Sequence, residues 1–297
     1  MVISEYSSNV IEPIHLFDEV IRISDRIGLP ENKADSLRKA RDIAWEWLFS
    51  INGPMKTYIW NGYFEDVPND PGRDNRLQIT PMETARYLLG NPSLDPALDR
   101  DIPALLHWVS ATFATSGMDA IKEQTWCYEP MGSHTARYAS VCALWYARSG
   151  DPFYKDEASR YFNLASYMTD ENGVVRVGPN WPGSWFSDGY GDYIRHFYEG
   201  LGAIPEWSPA GENHLLNSTS VIQSIDYKKE KIDYRTFDKS SGESLSLFQV
   251  PKAVTSGGKK LSVGNIGKEA WSFRKLSNGN YLVRVSHSVD SHIEIFF

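Results

Sequence analysis

Hydrophobic residues recur at intervals of three and four in the first part of the chain. Up to about residue 207, this spacing is typical of amphipathic helices. Loops rich in Gly, Pro, Asn and Asp separate the helical segments. The pattern predicts helices at 11–27, 33–51, 79–90, 98–117, 133–149, 152–169 and 187–201.

Local residue choices mark several of the predicted helix boundaries. Thr80-Pro-Met-Glu83 has the form of a capping box with proline at the first helical position. Ser133 is expected to open another helix, which should stop at Ser149-Gly150 before Asp151-Pro152 starts the next one. The short turns between successive helices predict helical hairpins.

The last part of the chain changes to an alternation of apolar and polar residues. This pattern is clearest in Ser220-Val-Ile-Gln-Ser-Ile, Leu245-Ser-Leu-Phe-Gln-Val and Asn280-Tyr-Leu-Val-Arg-Val-Ser. Turn signals at Ser241-Gly, Ser256-Gly-Gly and Ser277-Asn-Gly-Asn separate these runs, as expected for antiparallel strands. We therefore expect an α+β protein with a helical domain at 1–210 and a small antiparallel β-sandwich at 211–297.

Composition limits the classes of partner and compartment. The chain of 297 residues has a net charge of −8 and no dense stripe of Lys and Arg, which opposes binding to nucleic acid or anionic membranes. Two cysteines outside any metal-binding spacing are expected to be buried free thiols. Neither a secretory signal nor a bilayer-spanning run is visible in the sequence. The sequence as given therefore predicts a cytoplasmic protein, and an extracellular or periplasmic one if the N-terminus is truncated.

The most informative segment for chemistry is Trp181-Pro-Gly-Ser-Trp185-Phe-Ser-Asp188-Gly-Tyr190-Gly-Asp192, which continues to Arg195 and Glu199. It places flat aromatic rings beside titratable groups. Sugars present apolar faces and hydroxyl edges, and proteins bind them with this mixture of side chains. We therefore expect Trp181, Trp185 and Arg195 to contact a saccharide.

The acidic residues of this segment are the leading catalytic candidates. Asp188 and Asp192 share one face if the helix has already begun, and two carboxyls with separated pKa values are the minimum for glycoside hydrolysis. Glu129 or Glu65 is the expected second partner if these two carboxyls lie too close together. A purely structural interpretation makes Asp188 a helix N-cap and pairs Asp192 with Arg195.

The segment from Trp60 to Gln78 is a second candidate, because long ordered loops often carry binding sites. We expect Trp60 and Tyr63 to contact sugar faces, and Arg76 to bind hydroxyl or carboxylate groups. Alternatively, the aromatic residues anchor the loop while its charges are solvated.

A third candidate, Glu123 to Tyr138, leads into a predicted helix. Its Trp126 and Tyr128 are expected to contact substrate. His134 in the first helical turn is expected to stay neutral and to act as a base, with Tyr128 or Tyr190 as its partner. The structural alternative is a histidine that only bonds the backbone.

The stretches Glu129 to Arg137 and Asp188 to His196, followed by a β-domain, resemble bacterial α/α-toroid proteins of polysaccharide metabolism. These are the six-hairpin glycosidases and the toroid-type polysaccharide lyases. The resemblance covers most of the chain at the level of architecture. A complete toroid uses about twelve helices, so the predicted helices imply a half-toroid, an open array or part of a larger protein.

Three functions follow as hypotheses. The first is a glycoside hydrolase that uses carboxylate acid/base chemistry. The second is a polysaccharide lyase in which His134 and a tyrosine act on a uronate, and the third is a non-catalytic glycan-binding protein. No phosphate-loop, dinucleotide, zincin or nucleophile-elbow motif is present and the histidines are scattered, so no cofactor and no metal site are expected. An incomplete toroid would expose a helical flank that a second copy could cover in a homo-oligomer.

Overall fold

The computed structural model describes residues 10–61, 75–127, 129–173, 175, 190–264 and 269–297, without the side chains of residues 190–192. Internal contacts divide the chain into two units. Met1–His196 is called the helical unit here, and Phe197–Phe297 is called the β-unit. This division falls within the last helix, whereas the boundary predicted from the sequence lies near residue 210 and stays a prediction. The fold is α+β, as predicted, with helices followed by β-structure.

Helices form most of the described residues before residue 204. They are α1 Ile11–Arg22, α2 Glu31–Phe49, α3 Pro54–Thr57, α4 Ile79–Gly90, α5 Leu98–Phe113, α6 Gly132–Ser149, α7 Pro152–Ser166 and α8 Tyr190–Ala203. Short 3-10 turns follow at Pro92–Leu94 and Pro205–Trp207. Each helix predicted from the hydrophobic spacing has a counterpart, and the four-residue α3 was not predicted.

The boundary between α6 and α7 confirms the sequence prediction. Gly150 ends α6 in the left-handed region, with φ of 73°, where glycine is favoured. Asp151 then caps α7, because its carboxylate accepts a hydrogen bond from the Phe153 amide. The predicted capping box was wrong: the N-cap residue of α4 is Gln78, two residues before Thr80, and Thr80 is buried inside the first turn.

Helix α6 lies at the centre of the helical unit. It packs against α4, α5 and α7, and all residues from Gly132 to Ala143 are buried. On one side, Tyr138 meets Tyr161 of α7 edge to face, with ring centroids 4.5 Å apart. Because the helix is covered, its polar residues must find partners inside the protein.

Two five-stranded sheets form the β-unit. The strands are β1 His214–Ser218, β2 Ile222–Tyr227, β3 Lys231–Thr236, β4 Ser241–Leu247, β5 Ala253–Ser256, β6 Lys259–Lys260, β7 Ser262–Val263, β8 Ala270–Lys275, β9 Tyr281–His287 and β10 His292–Phe296. Their orders are β1-β4-β9-β8-β7 and β2-β3-β10-β5-β6. All pairs are antiparallel except the short parallel pair β7–β8, which departs from the predicted all-antiparallel pattern.

The two sheets share one hydrophobic core, as expected for a sandwich. Tyr234 of β3, Leu245 of β4 and Val283 of β9 are fully buried in it. Gly257 and Gly279 adopt positive φ at the predicted turns after β5 and β8. The predicted turn at Ser241-Gly was wrong, because both residues pair with β9 inside β4.

Within the described ranges, no helix combines the length and the apolar character that a bilayer crossing requires.

Candidate functional site

The chain between α5 and α6, residues 114–131, is called the connector here; its residue 128 is not described. Isolated β-bridges pin it at several points: Ala114 to Ile121, Leu77 to Gln124 and Lys122 to Pro130. The backbone of Met131 also donates to the Ile121 carbonyl, 3.0 Å away. The connector is therefore tied both to itself and to the segment that precedes α4.

Trp126 lies on this pinned part of the connector, and 46% of its surface is exposed. Two neighbours hold its backbone. The Asn75 side chain accepts hydrogen bonds from the Thr125 hydroxyl, at 3.1 Å, and from the Trp126 amide, at 3.4 Å. The Thr125 amide donates to the Arg76 carbonyl, 3.0 Å away. The protein thus presents an open indole on an anchored backbone.

Glu123 precedes Trp126 by three positions, and its side chain is 29% exposed. Burial raises the pKa of its carboxyl, but the nearby His134 ring, the Gln124 amide and the Arg137 guanidinium together lower it below the ordinary value of 4.5. Glu123 is therefore a carboxylate anion at neutral pH, partly open to solvent.

Glu83 of α4 forms the centre of a buried polar network. Its Oε1 accepts hydrogen bonds from Arg137 of α6 at 2.9 Å and from Arg195 of α8 at 3.2 Å. Its Oε2 accepts one from Arg86 at 3.0 Å. Burial raises the pKa of Glu83, but Arg86, Arg137 and Arg195 hold it below the ordinary 4.5. One carboxylate thus links three helices.

Two histidines extend this network. Arg137 Nη1 lies 2.7 Å from His134 Nδ1, and Arg86 Nη2 lies 3.1 Å from His196 Nδ1. Ser140 lies between the two arms: its hydroxyl donates to the Arg137 carbonyl at 2.8 Å and accepts from Arg86 at 3.1 Å. We call these residues the arginine–histidine network: Glu83, Arg86, His134, Arg137, Ser140, Arg195 and His196.

The described structure brings several predicted site residues together. Arg195 and His134 meet through the arginine–histidine network, although 61 positions separate them in the sequence. Arg76 and Trp126 lie on neighbouring segments, because the Arg76 amide donates to the Thr125 hydroxyl at 2.9 Å. Glu129 lies on the same connector and is half-buried.

Trp60 departs from its predicted role. Its indole is fully buried in the helical unit. Its main-chain carbonyl accepts a hydrogen bond from the Leu77 amide at 2.9 Å. A buried ring has no face open to a sugar, so the prediction of an open stacking platform was wrong for this residue. The neighbouring Asn61 forms a β-bridge with Arg76, so the backbone here is paired with the chain before α4.

Other predicted site residues lie outside the described residues: Tyr63, Glu65, Tyr128, Trp181, Trp185 and Asp188. Tyr190 and Asp192 lie in the first described turn of α8, and their side chains are not described. Their catalytic and binding roles stay predictions.

Sequence reasoning missed Glu83, Arg86 and Glu123 as site residues. A signal was present, since Glu83 and Arg86 are three positions apart, as are His134 and Arg137, which places each pair on one helix face. Charged residues at such spacing inside otherwise apolar helices indicate a buried polar network. The sequence alone did not show that the two faces meet.

The β-unit contains a second buried polar cluster. Glu243 accepts hydrogen bonds from Ser241 at 2.6 Å and Tyr234 at 3.0 Å, and its Oε2 lies 3.1 Å from His287 Nε2. His287 Nδ1 faces the Lys239 carbonyl at 2.9 Å. Both ring nitrogens therefore face acceptors, which fits a protonated ring. With the side chains of Glu243 and His287 fully buried, this cluster stabilises the sandwich rather than binding substrate.

A group with metal-ligand character lies on the other sheet. Asp233, His292 and Glu294 can place ligand atoms within 4.8 Å of one another. Lys231 already pairs with both carboxylates, because its Nζ lies 3.0 Å from Asp233 and 2.7 Å from Glu294. We therefore interpret this group as a surface ion-pair cluster.

Comparison with known proteins yields only weak likeness to solved structures. No protein-family model and no curated protein match the chain. Among solved structures it is similar to a family 76 glycoside hydrolase from a bovine Bacteroides thetaiotaomicron strain, with a TM-score of 0.38 and 11% sequence identity. The match covers 57% of this chain and 39% of that chain, and it leaves the family unassigned.

Proposed function

We propose that this protein is a carbohydrate-active enzyme that hydrolyses glycosidic bonds of an oligo- or polysaccharide by carboxylate chemistry. The observation that carries the proposal is the connector, which holds the open indole of Trp126 three positions from the ionised carboxylate of Glu123. An aromatic face and a carboxylate on one anchored segment match the two surfaces of a sugar ring.

The anchoring of Trp126 favours a binding role over incidental exposure. A stacking platform must keep its orientation, and the hydrogen bonds of Asn75 and Thr125 fix the backbone on which the indole stands. Exposed indole surface has an unfavourable hydration free energy. Covering the ring with the C–H face of a sugar recovers that free energy without a rearrangement of the backbone.

The charge state of Glu123 suits one half of a hydrolytic mechanism. Hydrolysis needs one carboxylate to attack the anomeric carbon or activate water, and one carboxylic acid to protonate the leaving oxygen. Glu123 has the lowered pKa expected of the first group. We propose Asp192 of α8, Asp188 or Glu129 for the second group, which the variants Asp192→Asn, Asp188→Asn and Glu129→Gln test separately.

A glycan panel tests the proposal. The purified full chain is incubated with plant, algal and animal glycans, and products are read both as reducing ends and as near-ultraviolet absorbance. Reducing ends without new absorbance are expected. Glu123→Gln should lower kcat by about 10²-fold or more, the usual contribution of an acid or base. Trp126→Ala should weaken affinity by about 3- to 10-fold, the range of one aromatic contact.

Matched variants on α7 control for general damage. Glu157→Gln removes a carboxylate that pairs with Arg160, and Phe153→Ala removes a ring that is 58% exposed. Both should retain wild-type turnover. Unchanged turnover in Glu123→Gln would remove this residue from the mechanism, and a panel in which no glycan is cleaved would contradict the hydrolase proposal.

A further inference from the structure

The contact between Arg137 and His134 determines which ring nitrogen carries the proton. A guanidinium has hydrogen-bond donors and no acceptor. Arg137 Nη1 lies 2.7 Å from His134 Nδ1, so Nδ1 must accept through its lone pair. The ring proton is therefore on Nε2.

Arg137 is itself held in place from the opposite side. Its Nε donates to Glu83 Oε1 at 2.9 Å, and its side chain is only 7% exposed. A buried guanidinium that binds a carboxylate cannot turn away without losing a charge-assisted hydrogen bond. The same arrangement recurs in Arg86, which donates to Glu83 at 3.0 Å and to His196 Nδ1 at 3.1 Å.

The protonated nitrogen of His134 is the one on the side of Glu123. His134 Nε2 lies 3.9 Å from Glu123 Oε2, a distance that a small side-chain movement closes to a hydrogen bond. We infer that Arg137 is a positioning residue: it fixes His134 as an N–H donor toward the Glu123 carboxylate. The role of Glu123 in this inference rests on the proposed function, whereas the tautomer of His134 does not.

This arrangement changes the role expected for His134. A lyase base needs a nitrogen lone pair directed at the substrate, but the Nδ1 lone pair already accepts from Arg137 and Nε2 carries the proton. His134 instead supports a carboxylate anion, because an N–H donor stabilises the ionised form of its partner. Of the two enzymatic hypotheses, the geometry thus favours hydrolysis at Glu123 over elimination by His134.

Nuclear magnetic resonance of the histidine rings tests the tautomer without any substrate. Long-range proton–nitrogen correlation spectra of the full chain at neutral pH separate the two neutral tautomers and the charged ring, and His134→Gln identifies the signal. We expect His134 protonated on Nε2 alone. A ring protonated on Nδ1, or on both nitrogens, would overturn the inference whether or not a glycan is ever found.

Substitution of Arg137 tests its positioning role. In Arg137→Met, the His134 ring should become a mixture of the two neutral tautomers. Arg86→Met should change the tautomer of His196 and leave the tautomer of His134 unchanged. An unchanged His134 tautomer in Arg137→Met would refute positioning by Arg137. If Arg137→Met does not fold, the wild-type spectrum still decides the tautomer. The positioning role is then tested with Arg137→Lys, which keeps the charge but not the planar guanidinium.

A pH profile connects the tautomer to the reaction. Where wild type cleaves a glycan, Arg137→Met should lower kcat more than it changes KM, and the acidic limb of its rate profile should move to higher pH, because Glu123 loses an oriented donor. A profile with an unmoved acidic limb would show that Arg137 is merely structural. Absence of turnover in wild type would instead refute the proposed function and leave the spectroscopic result standing.

Discussion

Glu83 shows how burial changes the importance of a single charge. Its side chain is 11% exposed and accepts hydrogen bonds from three arginines. Exposed ion pairs contribute little to stability, but removing one partner of a buried pair leaves an uncompensated charge. The buried arginines of α4 and α6 therefore depend on this carboxylate.

We expect Glu83→Gln to lower the free energy of unfolding by about 3–5 kcal/mol, the usual loss for a broken buried pair. Urea unfolding followed by far-ultraviolet circular dichroism measures this loss. Glu157→Gln is the matched control, since Glu157 pairs with Arg160, whose side chain is 43% exposed, and it should cost less than about 1 kcal/mol. Equal losses in the two variants would show that the Glu83 network contributes no special stability.

The tryptophans show how far residue-level prediction from sequence can go. Trp60 and Trp126 both lie in loops near polar residues, and the sequence predicts the same stacking role for both. In the structure Trp60 is fully buried and Trp126 is 46% exposed. Exposure depends on which distant segment covers a ring, and local composition does not contain that information.

Helices and strands were easier to predict than single side chains. Hydrophobic spacing located α4 from 79 to 90, and Gly150 with Asp151 marked the end of α6 and the start of α7. The capping box failed because tertiary contacts competed with it: the Gln78 amide donates to the Glu123 carbonyl, and α4 begins from that anchor. Patterns repeated over many residues average out such local exceptions.

The sandwich should show a pH-dependent stability that arises from Glu243 and His287. Burial raises the pKa of Glu243, but His287 and Ser241 lower it below 4.5. Burial lowers the pKa of His287, but Glu243 and the Lys239 carbonyl raise it above 6.5. The contribution of Glu243 to the free energy of unfolding is fully present above pH 4.5 and is lost as pH falls through its folded pKa. The contribution of His287 is fully present below pH 6.5 and is lost as pH rises through its folded pKa.

The difference in unfolding free energy between wild type and Glu243→Gln measures this effect. We expect the difference to be largest between pH 4.5 and 6.5, at about 3–5 kcal/mol, and to shrink on both sides. Urea unfolding at a series of pH values provides the comparison. A difference that stays constant from pH 4 to 9 would show that the buried pair does not titrate as the geometry requires.

At the scale of the whole molecule, the sequence predicted the order of helical and β-structure but not the arginine–histidine network. Arg86 of α4 and His196 of α8 are 110 positions apart in the sequence, yet their side chains meet at 3.1 Å. A pattern within one helix identifies a polar face, whereas the partner of that face is a property of the fold. The proposed hydrolysis depends on the connector, which carries both Trp126 and Glu123.

Hydrolysis by this site is tested most directly by the origin of the oxygen in its product. A glycan cleaved in oxygen-18 water is analysed by mass spectrometry, with Glu123→Gln as the comparison. The account predicts that wild type forms saturated products with one heavy oxygen at the new reducing end, and that Glu123→Gln forms almost none. Unsaturated products without the label, or equal labelling by both proteins, would contradict it.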